Sequence, residues 1–141
     1  MSTALDDYFK LVDAIKAGDD EATRALISPD FVLYQDGGMP YGGVYHGPDE
    51  FMKLIGEVWT LWGGSHFEPQ YQLTEPGGTR MCAVVYFRAN IGDSGETVDT
   101  MLSEIWDFRD GQAVEARIWY HDTPRLVAAL EKKAALERGH S

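Results

Sequence analysis

Two long runs of alternating residues, Thr97–Phe108 and Ala113–Asp122, constrain the fold of this chain more than any other feature. Alternation with a period of two is typical of β-strands, and the turn Arg109–Gln112 between the runs predicts an antiparallel hairpin. One face of each run is apolar apart from a single carboxylate, which is Glu104 in the first run and Asp122 in the second. If both faces line one interior, burial raises the pKa of these carboxyl groups and makes them candidates for general acid or base catalysis.

The preceding residues predict an α+β domain in which helices come before the long strands. Capping residues and apolar periodicity predict helices that begin at Thr3, Asp19 and Pro48, and a last helix that begins at Thr123. Further strands are predicted at 31–36, 44–46, 66–74 and 80–91. Such a sheet can curve around the helices and enclose a conical pocket, which is the usual shape of a small-molecule site.

Two of these elements carry more specific predictions. In the strand at 66–74, Phe67, Tyr71 and Leu73 alternate on one side, and Pro69 predicts either an edge strand or a bulge. In the helix that begins at Pro48, apolar residues at helical spacing predict a buried stripe. Its members are Phe51, Leu54, Ile55, Val58, Trp59 and Trp62.

The composition indicates a single globular domain at 1–141 with an acidic surface. The formal net charge of -11 argues against a nucleic acid or an anionic membrane as a partner and leaves small neutral or cationic ligands open. The start of the chain lacks a basic segment followed by an apolar one, so we expect a cytoplasmic protein. The histidines and the one cysteine, Cys82, form no metal-binding pattern, and there is no glycine-rich phosphate motif. We therefore expect no metal and no cofactor.

Several short strings together resemble a known family, the SnoaL-like proteins of the nuclear-transport-factor-2-like superfamily, which are related to ketosteroid isomerases. The strings are Ala17-Gly18-Asp19, Ser28-Pro29-Asp30-Phe31 leading to Asp36, Pro40-Tyr41-Gly42-Gly43-Val44-Tyr45-His46-Gly47-Pro48, Ile105-Trp106 before Arg109-Asp110-Gly111, and Tyr120-His121-Asp122-Thr123. The resemblance covers nearly the whole chain. It implies a cone-shaped, curved mixed β-sheet wrapped around three N-terminal helices, with a C-terminal helix, and commonly a homodimer through the convex face of the sheet. It does not fix the function, because this fold carries isomerases, cyclases, dehydratases and non-catalytic binding modules.

The resemblance also implies roles for three carboxylates. Asp36 matches the place of the general base of ketosteroid isomerases, and Glu104 falls at or beside the protonated acid that stabilises their dienolate. Asp122 matches the acid or base on the last strand of SnoaL-type cyclases. The isomerases complete their site with a tyrosine on the first helix, but the spacing puts Leu11 there, and Tyr8 lies one helical turn earlier. This departure counts against steroid isomerase activity.

Each carboxylate also has a structural interpretation. Glu104 could be a buried structural carboxylate paired with Arg88 or Arg117. Asp122 could cap the last helix. Asp36 could form the turn that follows its strand.

Five side chains are candidates for contact with a substrate. Tyr41, Tyr120, Trp106 and Trp59 would form the wall of the pocket, and His46 would lie at its rim.

The leading hypothesis is a cofactor-free enzyme that acts on a small, mostly apolar carbonyl or polyketide-like compound. Asp36 or Asp122 would remove a proton next to the carbonyl, and protonated Glu104 would hydrogen-bond the enolate oxygen. The outcome could be isomerisation, cyclisation or dehydration. The alternative is a non-catalytic ligand-binding protein or a dimeric scaffold of the same fold, in which Glu104 would be paired with arginine.

Overall fold

The computed structural model describes residues 3–139, in which four helices pack against one six-stranded sheet. The elements in chain order are α1 (Ala4–Lys16), α2 (Asp20–Ala25), β1 (Ile27–Gln35), β2 (Gly43–His46), α3 (Gly47–Trp62), β3 (His66–Thr74), β4 (Arg80–Asn90), β5 (Thr97–Arg109), β6 (Gln112–Tyr120) and α4 (Thr123–Gly139). The domain predicted from the sequence also includes residues 1–2 and 140–141, which lie outside the described part.

The strands form a mixed, curved sheet in the order β2-β1-β6-β5-β4-β3. All neighbouring strands are antiparallel except β1 and β6, which run parallel. The core lies between the inner face of this sheet and helices α1, α3 and α4. The α+β class predicted from the sequence is confirmed, as is the β5–β6 hairpin.

Helix α1 begins where its capping residues predict. The Thr3 hydroxyl accepts a hydrogen bond from the Asp6 N–H at 3.1 Å, and the Asp6 carboxylate accepts one from the Thr3 N–H at 3.2 Å. This reciprocal pair satisfies two donors that the first turn of a helix leaves unpaired. It fixes the start of α1 so that Tyr8 and Leu11 are buried against the sheet.

The register of the strands decides which side chains face the interior. Gln35, Ile118, Glu104, Ala83 and Gln72 lie in one line across five strands. The neighbouring positions on β5 that share this face are largely buried, as the alternation of the sequence predicts.

A bulge in β3 corrects one prediction from the alternating pattern. Phe67 is paired with Phe87 on the inner face, but the register shifts after Pro69, so that Tyr71 is paired with Val84 on the outer face. Tyr71 and Leu73 are exposed as a result. The edge position and the bulge that Pro69 predicts are confirmed, whereas the shared side of Phe67, Tyr71 and Leu73 is wrong because one extra residue reverses the alternation.

The predicted buried stripe of α3 is also only partly correct. Phe51, Leu54 and Trp62 are buried, but Trp59 is 62% exposed. Trp59 lies about 80° around the helix axis from Phe51, at the margin of the stripe. Its ring therefore lies on the surface and does not line the interior.

No helix within residues 3–139 combines the length and the apolar character needed to cross a membrane.

The loop between β1 and β2 brings its backbone unusually close to itself at Gly42. A Cβ atom on Gly42 would lie 2.4 Å from the carbonyl oxygen of Asp36 and 2.8 Å from the Cα of Gly37. Gly42 does not have a positive φ angle, so it is the available space that requires glycine here. This contact fixes the position of the adjacent Tyr41, which is buried.

We expect Gly42→Ala to lower the free energy of unfolding by about 2 kcal/mol or more, because the new methyl group would meet rigid backbone. Gly37→Ala is the matched control, since a Cβ atom there has no neighbour within 4 Å. That control should change stability by no more than about 0.5 kcal/mol. Urea unfolding of both variants measures the difference, and equal stabilities would contradict the predicted clash.

Candidate active site

Glu104 projects from the inner face of β5 into a cluster of buried aromatic rings. Its Oε1 atom accepts hydrogen bonds from the Tyr8 hydroxyl at 3.1 Å and from the indole Nε1 of Trp106 at 3.2 Å. The Trp106 ring is stacked against Phe31, with ring centroids 6.0 Å apart. The carboxyl group therefore has apolar and weakly polar surroundings, and two neutral donors position it.

No cation in the described part of the chain pairs with Glu104. Arg117 forms an ion pair with Glu115 at 3.0 Å and lies over the ring of Tyr34. Arg88 is exposed and paired in register with Asp99, on the outer face of the sheet. The interpretation of Glu104 as an ion-paired structural residue is therefore wrong, because alternation places both arginines on the opposite face.

Burial raises the pKa of Glu104 above its ordinary value, although the hydrogen bonds from Trp106 and Tyr8 act in the opposite direction. The pKa of Tyr8 is raised by its own burial and by the nearby carboxylate, so its hydroxyl stays protonated and remains a donor. The second oxygen, Oε2, receives no hydrogen bond from residues 3–139. It is also not a fully buried unpaired atom, so it is the oxygen that can meet a ligand.

A second polar cluster lies within the same interior. The indole Nε1 of Trp62 donates to the hydroxyl of Tyr41 at 3.2 Å, and the hydroxyls of Tyr41 and Tyr120 are 2.8 Å apart. The indole N–H and the two hydroxyl groups supply three donor protons, and the two hydrogen bonds among them involve two of these protons. One tyrosine hydroxyl proton is therefore left, and no described residue accepts it. Burial raises the pKa of both tyrosines, so both hydroxyls stay protonated.

The two clusters are neighbours on the sheet. Glu104 is paired with Ile118, and Tyr120 is paired with Leu102. Glu104 and Tyr120 are thus diagonal neighbours on adjacent strands, within the reach of long side chains. The structure brings together the predicted residues Glu104, Trp106, Tyr120 and, through Tyr120, Tyr41.

Asp36 follows β1 directly, and its carboxylate connects three parts of the chain. Oδ1 accepts a hydrogen bond from the Gly38 N–H at 2.9 Å, and Oδ2 accepts from the Tyr120 N–H at 3.2 Å and the Thr123 hydroxyl at 2.7 Å. Burial acts to raise the pKa of Asp36, but these hydrogen bonds outweigh it and hold the pKa below its ordinary value. Because both oxygens are engaged, the geometry favours a structural role over that of the predicted base.

Asp122 does not face the interior, contrary to the prediction from the alternating pattern. Strand β6 ends at Tyr120, and Asp122 is exposed in the following turn. Its Oδ1 accepts a hydrogen bond from the Arg125 N–H at 3.2 Å, so Asp122 caps α4. The helix-capping interpretation is confirmed, because the chain leaves the sheet two residues before Asp122.

The two remaining predicted contact residues lie on the surface. His46 is exposed at the start of α3, where its backbone N–H donates to the Glu50 carboxylate at 2.9 Å. Trp59 is exposed on the same helix. Neither side chain lies in the interior with Glu104.

Two cavities lie in the described part of the chain at places that Glu104 does not line. The larger has a volume of about 430 Å³ and lies where the end of α3, the β4–β5 turn and α4 meet. The smaller, of about 170 Å³, lies beside Trp59 and Ser65. The larger cavity meets the tyrosine cluster at Trp62. Residues 3–139 contain no group of three potential metal ligands.

Comparison with known proteins shows the family. The model of the SnoaL-like domain matches residues 8–116, which is more than half of the chain. The chain belongs to the SnoaL-like family. A search of curated proteins gives no significant match to it.

Solved structures share the fold of this SnoaL-like protein at low sequence identity. TerC, co-crystallised with polyporic acid, has a TM-score of 0.80 at 20% identity, over 92% of this chain and 99% of that chain. An NTF2-like protein of unknown function from Burkholderia pseudomallei has a TM-score of 0.79 at 24% identity, over 92% and 98% of the two chains. IdmH from Streptomyces antibioticus, a proposed polyketide cyclase, has a TM-score of 0.75 at 18% identity, over 92% and 99%. The predicted fold family is therefore confirmed.

Two polar members of the interior of this SnoaL-like protein are not among the site residues predicted from the sequence. The spacing from Gly18 pointed to Leu11, yet it is Tyr8 that reaches Glu104. Trp62 was predicted as a core or pocket-lining residue without a polar role, and its indole N–H donates to the tyrosine pair. A tyrosine on the buried face of α1 was the available signal, but the length of its side chain decides which strand position the hydroxyl reaches.

We expect Asp36→Asn to lower the free energy of unfolding at pH 7 by about 1–3 kcal/mol, since it weakens hydrogen bonds to a charged acceptor. The folded pKa of Asp36 lies below its unfolded value, so its stabilisation is present above about pH 4 and is lost as the pH falls through the folded pKa. The difference in the free energy of unfolding between the variant and the wild type should therefore be smaller at pH 3 than at pH 7. Asp30→Asn is the control for urea unfolding at both pH values, because Asp30 lies on β1, which Asp36 follows, and is exposed. An equal difference in the free energy of unfolding at both pH values would contradict the predicted contribution of Asp36 ionisation to stability.

Proposed function

We propose that this SnoaL-like protein is a cofactor-free enzyme that moves a proton next to the carbonyl group of a small, mostly apolar, polyketide-like compound. The observation that carries the proposal is the Glu104 carboxyl group, which is half-buried among aromatic rings. Within residues 3–139 it has no cation partner, and one of its oxygens receives no hydrogen bond. Unpaired carboxyl groups are costly to bury, and they cluster at sites of acid and base chemistry. The fold shared with IdmH, a proposed polyketide cyclase, supports the substrate class.

The proposed step needs one base and one hydrogen-bond donor. Ionised Glu104 takes a proton from the carbon beside the carbonyl through Oε2, and the electron pair of that C–H bond moves toward the carbonyl oxygen. The spare hydroxyl proton of the Tyr41–Tyr120 pair donates to this oxygen as negative charge develops on it. For isomerisation, Glu104 then returns the proton to the same or to another carbon. For cyclisation, the enolate carbon forms a bond to a second carbonyl carbon, the π bond of that carbonyl breaks, and the resulting alkoxide oxygen takes the proton from Glu104. Isomerisation and cyclisation share the first step, and no oxidant or reductant is required.

Glu104 takes the role of the base here because the alternatives are engaged elsewhere. The oxygens of Asp36 accept three hydrogen bonds, and Asp122 is an exposed helix cap. A raised pKa also makes the Glu104 carboxylate a stronger base than an ordinary glutamate.

One observation favours a second candidate, a non-catalytic ligand-binding protein. The aromatic rings fill much of the space around Glu104, and the larger cavity lies elsewhere. This candidate predicts ligand binding without any proton transfer, so an exchange experiment separates the two functions.

We expect the wild type to catalyse deuterium exchange at the carbon beside the carbonyl in some members of a panel of cyclic ketones, enones and β-diketones in D₂O. Glu104→Gln should lower the exchange rate at least about 100-fold, which is the size of a general-base contribution. Glu115→Gln is the matched control because Glu115 lies on the outer face and pairs with Arg117. Proton NMR follows the exchange, and a panel that binds without exchanging would support the second candidate.

The pH dependence tests the same assignment. The rate should rise with pH through the pKa of Glu104, and Tyr8→Phe should move this rise to higher pH because it removes a hydrogen bond that lowers the pKa. Since the folded pKa of Glu104 is raised, its ionisation costs stability as the pH rises, so Glu104→Gln should be more stable than the wild type at pH 8. Carbon NMR of the glutamate carboxyl groups measures the pKa of Glu104, and thermal unfolding measures the change in stability. An inactive and unstable Glu104→Gln variant would point to a structural role.

We also propose that two copies of the chain pair through the convex face of the sheet. Five large apolar side chains are exposed there: Tyr34, Tyr71, Leu73, Ile105 and Trp119. The register places Tyr34, Arg117, Ile105, Cys82 and Leu73 in one line across that face. Several large apolar side chains exposed on one face of a sheet are typical of a protein interface.

Trp119→Glu should convert a dimer into a monomer in analytical ultracentrifugation, because it places a charge within the proposed interface. Trp59→Glu is the matched control, since Trp59 is exposed on α3 and away from that face. A wild type that sediments as a monomer, or a control that dissociates equally, would contradict this interface.

A further inference from the structure

The larger cavity is separate from the Glu104 site and has its own polar groups. Its walls are the end of α3, the β4–β5 turn and the last turns of α4. Trp62 and Leu136 are its apolar residues, and its charged residues are Asp93, Lys133 and Glu137. A volume of about 430 Å³ falls within the range of small-molecule sites.

The turn and the helix that enclose this cavity are in close contact. Gly92 has a φ angle of 54°, and a Cβ atom there would lie 3.8 Å from Cγ of Lys133 and 3.9 Å from Cδ1 of Leu136. Ser94 stabilises the turn, because its hydroxyl donates to the Ile91 carbonyl at 2.7 Å and accepts from the Glu96 N–H at 3.1 Å. The cavity is therefore bounded by ordered backbone on one side and by a packed helix on the other.

The side chains of the cavity that have no partner within residues 3–139 are one carboxylate and one amide. Asp93 has no hydrogen bond or ion pair within residues 3–139, and the side-chain amide of Asn90 has none either. Lys133, the one cation among the described residues that line the cavity, is 17% exposed and already paired with Glu137 at 3.0 Å. Ser94 has both of its bonds within the turn. A ligand would therefore find a free carboxylate and a free amide oxygen, but no free cation.

We infer that this cavity binds a small organic amine with an apolar body. Its ammonium group pairs with Asp93 and donates to the amide oxygen of Asn90, and its apolar part packs against Leu136, since Trp62 is only 2% exposed. The net charge of -11 attracts cations to the surface of the protein and repels anions.

A carboxylate ligand fits the same cavity less well. It would have to displace Glu137 from Lys133. Replacing one ion pair by another adds little or no binding free energy. It would also face the negative charges of both Asp93 and Glu137. The ion pair between Lys132 and Glu96 on the neighbouring surface adds no net charge.

Isothermal titration calorimetry of the full chain with three probes of one shape tests this site: naphthylmethylamine, naphthylmethanol and naphthoate. The amine should bind most tightly, and raising the salt concentration should weaken its binding. Asp93→Asn should weaken amine binding about two- to five-fold, as expected for one partly exposed ion pair, and should leave naphthylmethanol unaffected. Asp110→Asn is the matched control, because it removes the same charge from the distant β5–β6 turn.

Two results would overturn the inference. Equal affinity for the amine and the alcohol would exclude an ion pair, and equal losses in Asp93→Asn and Asp110→Asn would assign the effect to the overall charge of the protein. Glu104→Gln should leave amine binding unchanged, because Glu104 does not line this cavity. Loss of amine binding in that variant would place the ligand in the interior and contradict the separate site.

Discussion

The candidate site depends on one half-buried carboxyl group within an aromatic interior. Glu104 lies on the inner face of the sheet, where most side chains are apolar and water is largely excluded. Two neutral donors, Tyr8 and Trp106, meet one of its oxygens, and no described cation offsets its charge. A carboxyl group in such surroundings resists ionisation, so its pKa is raised. Once ionised, the carboxylate is a stronger base than that of an ordinary glutamate.

The fold keeps this arrangement in place through contacts that lie away from Glu104. Asp36 joins the end of β1 to the end of β6 and the start of α4, and so fixes the backbone of Tyr120. The close approach of Gly42 to the same segment orients Tyr41 toward Tyr120. The aspartate that first suggested a catalytic base is thus better explained as a support for the tyrosine pair.

The distribution of charged groups distinguishes three regions of the protein. The interior contains the Glu104 carboxyl group without a cation partner among residues 3–139, and the cavity beside α4 contains a free carboxylate and a free amide. The outer face of the sheet carries exposed apolar side chains and ion pairs such as Arg117–Glu115. These regions use different residues, so a substitution in one leaves the groups of the others in place. Trp62 is the exception, since it lines the cavity and also donates to Tyr41.

The sequence by itself determined the class of fold, the hairpin of β5 and β6 and the inward position of Glu104, Trp106 and Tyr120. Local periodicity carries that information, because a strand side chain and its second neighbour share a face. Tertiary structure alone decided which groups meet. Tyr8 and Glu104 are 96 residues apart, and Asp36 is 84 residues from Tyr120, so the register of distant strands and the reach of each side chain set those contacts. The bulge after Pro69 and the end of β6 before Asp122 reversed two predictions for the same reason. Alternation predicts the face of a residue only while the strand continues without an extra residue.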